Sequence, residues 1–149
     1  MAEVLFYHLT DSTLEEALPP LLEKSLERGW RVVVQTGSEE RRDSLDAHLW
    51  TFRDDSFLGH GLETDPQAAD QPILLTTSDG NANGASVRFV VDGAEPPPLD
   101  AYERGVLMFD GHDHAQVTAA REHWKRLKAE GHAVTYWQQT EGRRWERKA

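Results

Sequence analysis

Strand-like and helix-like segments alternate along this chain, and that alternation predicts an α/β fold: three layers, with helices on both faces of a mostly parallel sheet of about five strands. Three observations carry the prediction. The order strand, helix, strand, helix calls for parallel strands joined by right-handed crossovers. The strand-like runs are apolar nearly throughout, as expected of strands covered on both sides. A length of 149 residues suits one compact domain with a real core.

Residues 4–9 (VLFYHL) form the first strand, bounded by the turn and cap residues Thr10 to Thr13. Thr13-Leu-Glu-Glu matches a capping box, and Leu14, Leu18, Leu21, Leu22 and Leu26 then make a helical stripe that ends at Arg28-Gly29. Pro19-Pro20 falls inside the stripe, so the helix is expected to bend or restart there. Residues 31–35 (RVVVQ) give a second strand, followed by a polar helix over SEERRDSLDAHLW. Residues 51–71 lose periodicity and read as a long loop. ILLT (73–76), VRFVV (87–91) and 106–109 are further strands, with a flexible turn at 78–85 and a Pro96-Pro97-Pro98 break between them. Residues 113–131 (DHAQVTAAREHWKRLKAEG) read as a helix, opening at an aspartate cap, carrying cations towards its C-terminal end and stopping at glycine. Residues 134–137 would add a strand at the sheet edge.

Composition narrows the function. With no cysteine, neither disulfides nor thiolate metal sites are available, and a reducing compartment fits. No run approaches the roughly 18 apolar residues of a membrane span, and the N-terminus has no basic segment ahead of its apolar one, so a cytoplasmic location is expected. Residues 1–120 hold 8 Lys or Arg against 22 Asp or Glu, whereas residues 121–149 hold 8 against 4. A body so acidic repels phosphates, which disfavours direct DNA binding. Its basic end instead suits a small acidic partner, such as a peptide, held in a salt-sensitive way.

Motifs exclude more. Neither GxGxxG nor GxxxxGK followed by Ser or Thr is present, and the first turn, LTDSTLEE, puts three acids where phosphate would sit. The fold is therefore Rossmann-like without a nucleotide-binding fingerprint, and no cofactor is expected. Asp110, His112, Asp113 and His114 crowd one loop, with His123 nearby, but zinc spacing is absent and an aspartate before a helix already serves as a cap. No metal site is assigned. A cysteine nucleophile, a G-x-S-x-G elbow and a separated acid pair are all missing, so no catalytic residue is assigned.

Binding residues are more legible. On the helix over 113–131, Val117, Ala120, Trp124, Leu127 and Lys128 recur at helical spacing. Arg121 and Lys125, four residues apart, project from one side with Trp124 beside them. Cations flanking an aromatic plate suit an acidic peptide that ends in a bulky apolar side chain. The plainer alternative is a solvated helix whose tryptophan belongs to the core. In the long loop, Trp50, Phe52, Phe57 and Leu58 exceed what one buried face needs; they pack down on the sheet or present a patch to a partner.

Four segments, in order and spacing over nearly the whole chain, resemble the chi subunit family of bacterial DNA polymerase III holoenzyme: FYHL, GWRVVVQT, SLDAHLWTFRDDSFLGHG and AAREHWKRLKAEGHAVTYWQ. The most specific pieces are Leu45-Asp46 and Leu49-Trp50 followed by Asp55, Phe57 and His60, then the run Arg121-Glu122-His123-Trp124-Lys125. The resemblance implies a non-catalytic clamp-loader accessory that binds the acidic, Phe-terminated C-terminal tail of single-stranded DNA-binding protein (SSB). It implies that Arg121 and Lys125 meet the tail's carboxylates and that Trp124 walls the phenylalanine pocket. It also implies a second surface at Trp50 and Phe57 for the psi subunit or an accessory helicase. Two departures stand out: the family often has tyrosine at the place of Trp124, and TEGRRWERKA continues past the usual last strand. Residues 1–140 are thus read as the chi-like domain and 141–149 as a basic extension that either adds charge to the tail site or is disordered. The competing expectation is a small α/β enzyme or nucleotide-binding protein of another kind.

Overall fold

A computed structural model describes residues 2–51, 60–141 and 144–149. In chain order they form β1 (Glu3–Leu9), α1 (Leu14–Glu27), β2 (Val32–Gln35), α2 (Glu39–Thr51), β3 (His60–Leu62), β4 (Ile73–Thr76), β5 (Val87–Val90), β6 (Arg104–Asp110), α3 (His114–Ala129), β7 (Ala133–Gln139) and β8 (Trp145–Arg147). The strands make one sheet in the order β3-β4-β2-β5-β6-β1-β7-β8, parallel throughout except for the antiparallel β7–β8 pair.

Two cores lie on the two faces of that sheet. Leu14, Leu18 and Leu22 of α1 and Leu45 and Leu49 of α2 pack on Val32, Val34, Ile73, Leu75, Phe89, Val106 and Met108. On the other face, Ala120 and Leu127 of α3, together with Leu99 and Tyr102 of an irregular segment, pack on Val4, Phe6, Val33, Leu74, Leu107 and Phe109. Alternate residues of one strand thus feed opposite cores, which is why the strands carry unbroken apolar runs. The expected α/β architecture with helices on both faces is what the chain adopts.

Three details differ from expectation. The sheet has eight strands among the described residues rather than about five. The additions β3 and β8 span three residues each and contain glycine or charged groups; pairing with a formed neighbour, not propensity, makes them strands. For the same reason β7 is not the edge, since β8 covers it. Finally, α1 does not restart at Pro19-Pro20 but continues through them as one helix. Pro19 lacks the N–H that would bond the Glu15 carbonyl, and His48 Nε2 of α2 donates to that oxygen instead, at 2.7 Å.

The turn at 78–85 is likewise closed rather than free. Arg88, fully buried on β5, donates to the Gly80 carbonyl (2.9 Å), the Ser78 carbonyl, the Tyr102 hydroxyl (3.0 Å) and, from Nε and Nη2, to Gln35 Oε1 (3.1 and 2.9 Å). Each of these acceptors is neutral.

Candidate functional site

The site is built on the β6–α3–β7 crossover. Asp113 caps α3 by accepting the amides of Ala115 (3.0 Å) and Gln116 (3.2 Å), and the helix lies against β6 and β7. Helical spacing then sends Ala120 and Leu127 into the core and leaves Val117 and Trp124 at its border. Trp124 is fixed there by edge-on contacts with Phe6 (5.4 Å between centroids) and Tyr136 (5.9 Å), and Lys128 Nζ lies 5.9 Å from its ring.

Between α3 and β7 opens an apolar cavity of about 290 Å³, lined by Phe109, Val117, Ala120, Trp124 and Tyr136, with Arg121, Lys125 and Ala149 completing the lining. Arg121 and Lys125 are exposed, and among the described residues neither has a carboxylate within ion-pair distance. All three residues singled out on this helix therefore border one pocket.

The floor was not foreseen in the sequence. Tyr136 bonds His8 Nδ1 through its hydroxyl at 2.6 Å, and the His8 ring lies 4.9 Å from Phe109. Burial raises the Tyr136 pKa, with Arg121 opposing; burial lowers that of His8, reinforced by His112 and Arg121 and opposed by Asp110. The floor is thus a neutral aromatic surface under a cationic rim. The signal for Tyr136 was available in the strand alternation of AVTYWQQ, which separates it from Trp137 by one residue and hence by one sheet face.

His123 also escaped sequence reading as a structural residue. It is buried and its Nε2 lies 2.9 Å from Glu95 Oε2, while Arg126 donates to Glu95 Oε1 at 2.8 Å and to the Pro96 carbonyl at 3.2 Å. The hydrogen bond with His123 is the largest influence on the Glu95 carboxyl; burial opposes it, and the hydrogen bond with Arg126 and the charges of both partners add to it, so the carboxyl is held below its usual range. The opposite flank of α3 is thereby clamped to the proline segment. Of the loop residues weighed as metal ligands, Asp110 Oδ1 accepts the His112 amide at 2.8 Å and Asp113 is the cap. Among the described residues no three His, Cys, Asp or Glu side chains converge as a metal would require.

The second expected surface is only partly in view. Trp50 has its backbone in the last turn of α2, and Phe57 lies outside the described residues. Their neighbours in the motif have structural work: Leu45 and Leu49 are buried, and His60 Nε2 lies 3.1 Å from the Asp46 carbonyl and 3.2 Å from Asp46 Oδ1. Those contacts fasten α2 to β3.

A larger cleft, about 430 Å³, opens at the carboxyl ends of β1 and β6, where ligands of open α/β sheets commonly bind. Here it is lined by Asp11, Glu15, Asp92 and Asp110, with Arg41 tied to Glu15 and near Asp92. The amides of Thr10, Asp11 and Ser12, which could cradle an anion, converge on Gln139 Oε1 at 3.1–3.2 Å. A side chain of the protein itself occupies the place of a phosphate oxygen. Among the described residues no helix is long and apolar enough to cross a membrane.

With this geometry in place, comparison with known proteins is specific. The family model described as DNA polymerase III chi subunit, HolC matches residues 1–135. The chain is similar to the probable DNA polymerase III subunit chi of Rickettsia prowazekii (strain Madrid E), 32% identical over 91 residues that cover 61% of this chain and 55% of that protein. It is also similar to the DNA polymerase III subunit chi of Pseudomonas aeruginosa, 33% identical over 61 residues covering 41% and 43% of the two chains. The matches span about half the length of these curated relatives.

Proposed function

The chain belongs to the DNA polymerase III chi subunit family, and from that premise we propose that it is a non-catalytic accessory of the clamp-loader complex in DNA replication, linking the holoenzyme to SSB. It does so by taking the acidic, Phe-terminated tail of SSB into the pocket between α3 and β7. One observation carries the reading: an apolar, aromatic cavity of about 290 Å³ with Arg121 and Lys125 on its rim, neither of them ion-paired among the described residues, in a chain whose net charge is −10. The cavity suits one aromatic side chain. The rim suits the carboxylates that precede it, and a guanidinium can engage a terminal carboxylate through two hydrogen bonds. Trp50 and Phe57 are proposed as the surface for psi or an accessory helicase.

The enzyme or nucleotide-binding alternative finds less support. The first turn spends its amides on Gln139, and the cleft beside it is acidic.

A fluorescent acidic decapeptide ending in Phe tests the proposal by titration against wild type, Arg121→Ala, Trp124→Ala and Lys125→Ala. Removing the terminal Phe should weaken binding more than neutralising one aspartate, because burying the ring contributes about 2–3 kcal/mol and one exposed ion pair about 1 kcal/mol or less. Affinity should fall as salt rises. Equal affinity for all four folded proteins would place the site elsewhere.

A further inference from the structure

The pocket has a wall that the family match does not reach. The match ends at residue 135, whereas β8 begins at Trp145 and runs antiparallel to β7, with Gln139 opposite Trp145 and Trp137 opposite Arg147. The ladder continues beyond β8: Lys148 N–H donates to the Tyr136 carbonyl at 2.7 Å, and Tyr136 N–H donates to the Ala149 carbonyl at 3.3 Å. Ala149 thereby comes to line the aromatic cavity. The strand is anchored from the opposite side of the sheet, where the Trp145 ring lies 4.6 Å from that of Tyr7, edge-on.

Resting on the proposed peptide-binding reading, we propose that residues 145–149 are part of the ligand site itself: a strand-borne wall that holds the Tyr136 backbone in place and narrows the pocket around the ligand's terminal aromatic side chain. Two features argue for a wall rather than a plug. The cavity of about 290 Å³ stays open with Ala149 in position, and the strand contacts the pocket through its backbone ladder on Tyr136. The segment thus sets the fit of the apolar group, while Arg121 and Lys125 set the charge.

The test uses two fluorescent acidic decapeptides that differ only in ending in Phe or in Ala. They are titrated against the full chain, a chain lacking residues 144–149, and Trp145→Ala in the full chain, which loosens the strand from the far side of the sheet without touching the pocket. The wall predicts that the truncated chain binds the Phe peptide roughly tenfold more weakly, a change of about 1.4 kcal/mol, and that its preference for Phe over Ala shrinks. Trp145→Ala should move both readouts in the same direction. Circular dichroism checks folding; if the truncated chain is unfolded, Trp145→Ala decides alone. Equal loss for both peptides would make the segment only a source of charge and overturn the wall, as would undiminished or tighter Phe-peptide binding. Failure of the full chain to bind either peptide would instead overturn the peptide-binding reading, and the wall with it.

Discussion

His48→Ala asks how α1 survives its own prolines. Proline at position 19 deprives the Glu15 carbonyl of its usual donor four residues on, and His48 of α2 supplies one at 2.7 Å. In wild type the substitution leaves that partly buried carbonyl without this donor, which should lower stability by about 1–2 kcal/mol, of which packing is roughly a third. In a Pro19→Ala background the new N–H at residue 19 can make the intrahelical bond, so the same His48→Ala change should then cost only about 0.5 kcal/mol. The coupling between the two sites is therefore on the order of 1 kcal/mol, or about 3 °C in Tm for a chain of this size. Urea denaturation at pH 7.5 of wild type, both single variants and the double variant measures it. Additivity within about 0.3 kcal/mol would mean that the helix tolerates Pro19 without help from α2, and the bond would be incidental.

Two further outcomes follow from a buried and a partly buried polar group. Arg88→Met removes a guanidinium with five hydrogen bonds and leaves Gln35 and the turn carbonyls unmatched, so stability should drop by about 3–5 kcal/mol; a loss under about 1 kcal/mol by denaturant titration would refute that account. Glu63 is pushed up by burial, but hydrogen bonds from Thr76, Thr77 and Ser78 outweigh this and hold its carboxyl below the ordinary value of 4.5. Its contribution is thus present above that value and lost as pH falls through the lower, folded-state value. In Glu63→Gln the acid limb of a stability-against-pH profile should flatten below about pH 4.5; an unchanged limb would assign acid sensitivity to other carboxyls.

Most of the architecture was legible because it depends on local pattern. Val32 to Val34, Leu74 and Leu107 announce strands by composition, and Asp113 and Gly131 punctuate α3. What stayed hidden depends on partners far away in sequence. His60–Leu62 becomes a strand only beside Ile73–Leu75. In the sequence His123 is only a neighbour of the Asp and His cluster weighed for a metal, until Glu95 is seen next to it. The pocket divides the same way: Arg121, Trp124 and Lys125 share one helix, so spacing alone groups them, whereas Phe109, Tyr136 and Ala149 arrive from three other places in the chain. The hydrogen bond that closes the first turn joins Thr10 to Gln139 across 129 positions, a distance at which no periodicity speaks.

The place of β1 in the sheet has a consequence for how the protein is made. Its first strand pairs only with β6 and β7, and Leu9 meets Asp110. About 100 residues must therefore be synthesised after Leu9 before its partner exists, which at roughly 5–20 residues per second leaves the strand waiting for about 5–20 s. During that interval Val4, Phe6 and Leu9, all buried at the end, are open to water or to a chaperone. Translation slowed between residues 91 and 103 prolongs the exposure, so synonymous codons there can lower the soluble yield of this protein without altering a single side chain.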